Sequence, residues 1–141
     1  MPAYKNLQRR SGGNSYAPRP PPECIPTIVW FNVPAAETGR ARAFYEEVFS
    51  WTAEPFPGME GAFELATGGI GGEILPRAHP GEPITVFVGV PSVEEYTGRV
   101  ERAGGRVAVR KRAVPGRGYF ALCEDTEGNR LGLWEDDPGA V

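Results

Sequence analysis

Side chains able to do chemistry are few and scattered in this 141-residue chain. One histidine, His79, can exchange a proton near neutral pH, and two cysteines, Cys24 and Cys123, offer thiols. His79 lies in Arg77-Ala78-His79-Pro80-Gly81, a stretch of loop character. A solvated imidazole is its plainer reading, and a catalytic or ligand role the sharper one. A Cys–His nucleophile would need His79 to reach Cys123, and no spacing suggests that it does. Glu124 and Asp125 precede a turn, and Glu135-Asp136-Asp137 reads as a solvated acidic run near the C-terminus. Whatever site the chain forms must be assembled by the elements that carry these residues.

Those elements come in duplicate. Ile28-Val29-Trp30-Phe31-Asn32-Val33-Pro34 is an apolar strand that runs into an amphipathic helix ending near Phe49. Ile84-Thr85-Val86-Phe87-Val88-Gly89-Val90-Pro91 repeats the pattern into a helix ending near Ala103, with the two Val-Pro pairs 57 positions apart, 33 to 90. In the first helix Ala41, Phe44, Tyr45, Val48 and Phe49 recur at helical spacing and make an apolar stripe, with Thr38 as the expected N-cap. The second opens on a capping box, Ser92-Val93-Glu94-Glu95, and ends at Gly104-Gly105. After each helix come short alternating segments bounded by glycine and proline, predicted as strands. They are Thr52–Pro55, Ala62–Thr67 and Gly72–Leu75, then Arg106–Val114, Gly118–Glu124 and Arg130–Glu135, the last two joined by the turn 125–129. The order strand, helix, strand, strand, strand is written twice.

The formal charge of −3 divides unevenly: Lys5, Arg9, Arg10 and Arg19 against Glu23 give residues 1–25 a net +3, leaving −6 for the rest. No basic stripe with interleaved aromatics follows, so nucleic-acid binding is not expected. Two cysteines permit at most one bridge, and there is no signal-type segment or bilayer-length apolar run. A cytoplasmic protein with reduced thiols and no membrane association is expected. The Pro/Gly-rich composition of residues 1–25 predicts an extended or disordered basic tail, with Tyr4 and Tyr16 available as anchors onto a partner subunit.

Four segments in this order resemble the vicinal oxygen chelate superfamily, which holds the glyoxalases, bleomycin-resistance proteins and extradiol dioxygenases. They are Phe31-Asn32-Val33-Pro34, Ala43-Phe44-Tyr45-Glu46-Glu47-Val48-Phe49-Ser50-Trp51, Gly118-Tyr119-Phe120-Ala121-Leu122, and Asp125-Thr126-Glu127-Gly128-Asn129-Arg130-Leu131-Gly132-Leu133-Trp134. The resemblance implies an α+β fold over residues 26–136, with module one at about 26–76 and module two at about 82–136. Two βαβββ modules would curl a mixed sheet around a cup-shaped cleft with the helices outside, and residues 137–141 would form a C-terminal tail. It also implies a homodimer.

In members that bind a divalent metal, His, Glu or Gln side chains point into the cup from four strands, where a cation can polarise a substrate oxygen. Strand alternation, with Val29, Phe31 and Val33 packed on the helices, turns Ile28, Trp30 and Asn32 into the cup. The same alternation turns in Thr85, Phe87 and Gly89, then Tyr119, Ala121 and Cys123, then Arg130, Gly132 and Trp134. The family's ligand positions thus read Trp30, Thr85 and Gly132, none of them a ligand, and only Glu73 remains as a carboxylate. No metal and no other cofactor is expected.

The expected cleft residues are Trp30, Asn32, Glu73, Thr85, Phe87, Tyr119, Cys123 and Trp134. Cys123 reads first as a small buried side chain, and the aromatics read equally as a plug filling the cup. The leading expectation is a small-molecule binder taking a hydrophobic or aromatic ligand between the modules. The alternative is a metal-dependent lyase, isomerase or dioxygenase with an unusual ligand set that includes Glu73. A third reading is an interaction module whose basic tail docks on a partner.

Overall fold

The structure is a computed structural model that describes residues 25–141. The tail expected over 1–25 lies outside the described residues apart from Ile25, as does Cys24.

Each module begins with the strand of its Val-Pro unit: β1 (Thr27–Ala35), which includes the pair, in module one and β5 (Thr85–Gly89), which stops just before it, in module two. The helices follow, α1 (Thr38–Phe49) and α2 (Val93–Arg102). Module one then adds β2 (Thr52–Pro55), β3 (Phe63–Ala66) and β4 (Gly71–Pro76), and module two adds β6 (Arg106–Val114), β7 (Gly118–Glu124) and β8 (Arg130–Asp136). All eight strands join one mixed sheet in the order β2-β3-β4-β1-β5-β8-β7-β6. Each module contributes four consecutive strands, and the modules meet where β1 runs antiparallel to β5.

The helices form for different local reasons. At the start of α2, the Ser92 hydroxyl accepts from the Glu95 amide at 3.1 Å, Glu94 and Glu95 occupy the first turn and Arg99 and Arg102 the last. Charges so placed complement the helix dipole. The Val93 amide donates to Glu135 Oε1 at 2.9 Å, so the residue expected in a solvated run instead ties β8 to α2. In α1 the N-cap is Glu37, not Thr38, and no side chain caps it. This helix ends on Ser50, held in the left-handed region at φ 58° with its N–H on the Glu46 carbonyl.

Apolar side chains gather into two cores, one per module. Val33, Ala35, Ala53, Leu65 and Ile74 form the first, with Phe31, Ala41, Tyr45 and Trp51 packed against it. Val90, Val93, Ala121, Cys123 and Leu133 form the second, with Tyr96, Val100 and Tyr119 around it. The last residues are tied down as well: the Gly116 amide donates to the Ala140 carbonyl at 2.8 Å and the Asp137 amide to the Arg117 carbonyl at 2.9 Å, and Ala140 is buried.

Candidate functional site

The concave face of the sheet encloses a cavity of about 1320 Å³, and its floor follows from strand register. Trp30 on β1 lies beside Gly71 on β4 and opposite Phe87 on β5, and Phe87 lies beside Gly132 on β8. Gly71, Trp30, Phe87 and Gly132 therefore make one row across the seam. Both glycines leave room for a ring: a Cβ on Gly71 would stand 3.2 Å from Trp30 Cζ3, and one on Gly132 would collide with the Phe87 ring. The opening strand of each module thus lays an aromatic ring on a glycine of that module's last strand.

Trp30, Asn32, Glu73, Phe87 and Trp134 line the cavity. Two of them form same-face pairs along their strands, with the Trp30 indole N–H donating to Asn32 Oδ1 at 2.9 Å and that of Trp134 to Asp136 Oδ1 at 2.7 Å. Such a bond fixes the ring while leaving its faces free to pack.

Thr85, Tyr119 and Cys123 do not line the cavity. Thr85 is 2% exposed, and its hydroxyl donates to the Pro83 carbonyl at 3.5 Å. Tyr119 packs against the second core, with the Lys111 ammonium 4.3 Å from its ring centre. Cys123 is fully buried in that core, where burial pushes its thiol pKa up and keeps it in the unreactive form.

Phe120 and Leu122 face the cavity instead, because β7 has the opposite parity from that expected. The signal lay in the turn: with 125–129 as the connection, Glu124 pairs with Arg130, which sets Leu122 opposite Gly132 and Phe120 opposite Trp134. Directly opposed residues share a face. A second change of parity occurs in β1, where the register with β5 shifts between Ile28 and Trp30. A bulge of this kind puts two residues of one strand against one of its partner. Val29 consequently lines the cavity, and Ile28 does not.

Loops supply what periodicity could not reveal. Phe56 and Met59, between β2 and β3, and Arg117, in the turn between β6 and β7, also line the cavity. The Arg117 guanidinium lies 4.6 Å from the centre of the Phe56 ring, and its Nη2 is 3.7 Å from Glu64 Oε1. A side chain of module two thus reaches across to module one.

Two charged residues stand out. Glu73 has its carboxyl pKa raised, chiefly by burial and further by the nearby Glu64, against the opposing influence of the Trp30 indole and Arg117. Its Oε2 and the Arg130 Nε are buried without a hydrogen-bond partner among the described residues. Arg130 Nη2 lies 3.6 Å from Glu82 Oε2 in a mostly buried ion pair. His79 hangs in the exposed linker, its Nδ1 3.2 Å from the Pro80 carbonyl.

No protein-family model and no curated protein matches the chain. Solved structures do. A glyoxalase/bleomycin resistance protein/dioxygenase superfamily member from Vibrio splendidus superposes with a TM-score of 0.62 at 12% identity, covering 80% of this chain and all of that one. The chain has the vicinal oxygen chelate fold. Methylmalonyl-CoA epimerase from Mycobacterium tuberculosis matches with a TM-score of 0.56 at 15% identity, over 80% of this chain and 88% of that one. The Mn(II)-bound glyoxalase from Novosphingobium aromaticivorans matches with 0.54 at 16%, over 82% of this chain and 41% of that one. Identities this low establish a likeness of fold alone.

A vicinal oxygen chelate cup raises the question of a metal, and the donor set answers it. Around Glu73 the floor offers Trp30, Phe87 and two glycines, and among the described residues no three His, Cys, Asp or Glu side chains group closely enough to hold an ion. Glu73 with Glu64 across from it on β3 makes a pair of carboxylates, fewer protein ligands than the usual divalent site takes. Among the described residues, no helix is long and apolar enough to cross a membrane.

Proposed function

We propose that this cup binds a small hydrophobic or aromatic molecule between the two modules without the metal usual to its superfamily. The observation that carries this reading is the floor, where Trp30 lies on Gly71 and Phe87 on Gly132, so that rings and glycines stand there in place of imidazoles and carboxylates. Phe56, Phe120 and Trp134 extend that apolar lining up the walls, and a few polar groups converge on it. Apolar walls with sparse, placed polar groups are the usual make-up of a small-molecule site. A cytoplasmic homodimer belongs to the same reading, supported by Phe44, Val48 and Phe49, which stand more than half exposed along α1.

A thermal-shift screen against aromatic compounds tests it, since a ligand that binds only the folded state raises Tm by mass action. Trp30→Ala should abolish the shift while the unliganded protein still melts cooperatively. An unchanged shift would place the binding elsewhere.

The second reading is an enzyme of the same superfamily. It draws on the fold shared with an epimerase and a Mn(II)-bound glyoxalase and on Glu73, a carboxyl of raised pKa in a cleft. Stoichiometric Zn, Ni, Mn or Fe in protein purified without chelator would favour it over the first.

A further inference from the structure

The two buried side-chain atoms that lack a partner among the described residues, Glu73 Oε2 and Arg130 Nε, both belong to residues lining the cup. Stranding a buried polar atom costs about 1–3 kcal/mol, and native proteins rarely tolerate it without a reason. One is an acceptor when ionised and the other can only donate. They are chemically opposite, and a ligand must meet them with opposite groups.

Their placement is ordered too. Glu73 lies beside Asn32, and Asn32 lies opposite Thr85, one pleat along from the row of Gly71, Trp30, Phe87 and Gly132. Arg130 stands two residues before Gly132 on β8, which runs parallel to β5, and so falls in the Glu73 row. The cup therefore carries an aromatic row and, alongside it, a polar row in which Glu73, flanked by Glu64, and Arg130, flanked by Glu124, stand on opposite sides of the seam. From β4 to β8 is three strand spacings, roughly 14 Å between backbones, and side chains converging from a concave sheet narrow that span. Glu82 engages the Arg130 Nη2, leaving Nε as the donor still to be used.

We propose, building on the small-molecule reading above, that the ligand is a planar aromatic compound with a nitrogen-bound hydrogen at one end for Glu73 and an acceptor oxygen at the other for Arg130. Its rings lie along Trp30 and Phe87, and its two ends fill the two stranded atoms. An amine, amidine or ring N–H suits the Glu73 end; a carbonyl or carboxylate suits the Arg130 end. A compound with only one of these groups leaves one of the two buried atoms without a partner, so the cup discriminates by ends as well as by its apolar body.

Four matched probes test this: 4′-aminobiphenyl-4-carboxylate, biphenyl-4-carboxylate, 4-aminobiphenyl and biphenyl, titrated into the full chain with quenching of tryptophan fluorescence as the readout. The two-ended probe should bind tightest, and loss of either end should weaken binding about tenfold, the effect of one hydrogen bond to a charged group. Glu73→Met should erase the advantage of the amine and spare that of the carboxylate; Arg130→Met should do the reverse. Both replacements remove a stranded polar atom, Arg130→Met also unpairs Glu82, and circular dichroism checks that each variant folds. Equal affinity for all four probes would overturn the inference and leave the aromatic cleft standing. Failure of all four to bind up to their solubility limits would overturn both.

Discussion

Module one and module two are copies in backbone and strangers in chemistry. Trp30 and Phe87, 57 positions apart, occupy the same place in their modules, and so do Gly71 and Gly132, the glycines beneath their rings. One pleat on, the match ends. Asn32 and Glu73 in module one correspond to Gly89 and Trp134 in module two, so a polar pair in one module has an apolar pair as its counterpart in the other. The helices diverge as well, since α2 has a side-chain cap and buries Val93 and Thr97, whereas α1 has neither a cap nor a fully buried residue. Duplication preserved what the sheet needs in order to curl, and the two halves of the cup went separate ways.

The deepest expected break in that comparison is at the glycines. Gly132→Ala drives a Cβ into the Phe87 ring, whereas Gly71→Ala meets only the edge of Trp30 at 3.2 Å. The first should cost about 1–3 kcal/mol, in the range of an overpacked core, and the second clearly less, both read from urea midpoints. Equal costs would mean that the two rings are not held in the same way.

A smaller difference should separate the helices. Ser92→Ala removes the α2 cap and should cost about 1 kcal/mol, while Glu37→Ala at the α1 cap removes no capping bond and should leave the urea midpoint nearly unchanged.

The smallest effect concerns pH. Burial raises the Glu73 pKa above its ordinary 4.5, so between the ordinary and the raised value the folded state holds more proton than the unfolded one. Stability contributed by the protonated group is present in full below pH 4.5 and is lost as pH rises through the raised value. Glu73→Gln should therefore raise Tm at pH 7, and the gain should disappear near pH 4. A gain that persists in acid would mean that an interaction other than burial sets the carboxyl.

The elements were legible because the pattern is stated twice and its punctuation is chemical: Val-Pro closes a strand, Ser92 opens a helix, and Gly104, at φ 96°, ends one. Three strand boundaries, Thr52–Pro55, Arg106–Val114 and Gly118–Glu124, agree with the sequence reading to the residue. Facing was harder to read. Trp30, Phe87 and Trp134, turned inward by alternation, line the cavity, whereas Tyr119 and Cys123 pack in the second core, because parity within a strand says nothing about which set turns inward unless a neighbour fixes it. The pairing of Glu124 with Arg130 across an identifiable turn was such a neighbour. The bulge at Val29 and the reach of Arg117 had no local signature, since both arise from how distant segments meet.

The seam between β1 and β5 has one more consequence. The modules share a single strand pairing and are joined in sequence by the linker 77–84, in which Gly81 sits at φ 82°. Opening that linker would let module one of one molecule close against module two of another, with every residue of the cup meeting its usual neighbour. Two chains could thus trade halves and rebuild the same cleft twice, so the cup is specified by the seam and is indifferent to which chain supplies each side of it.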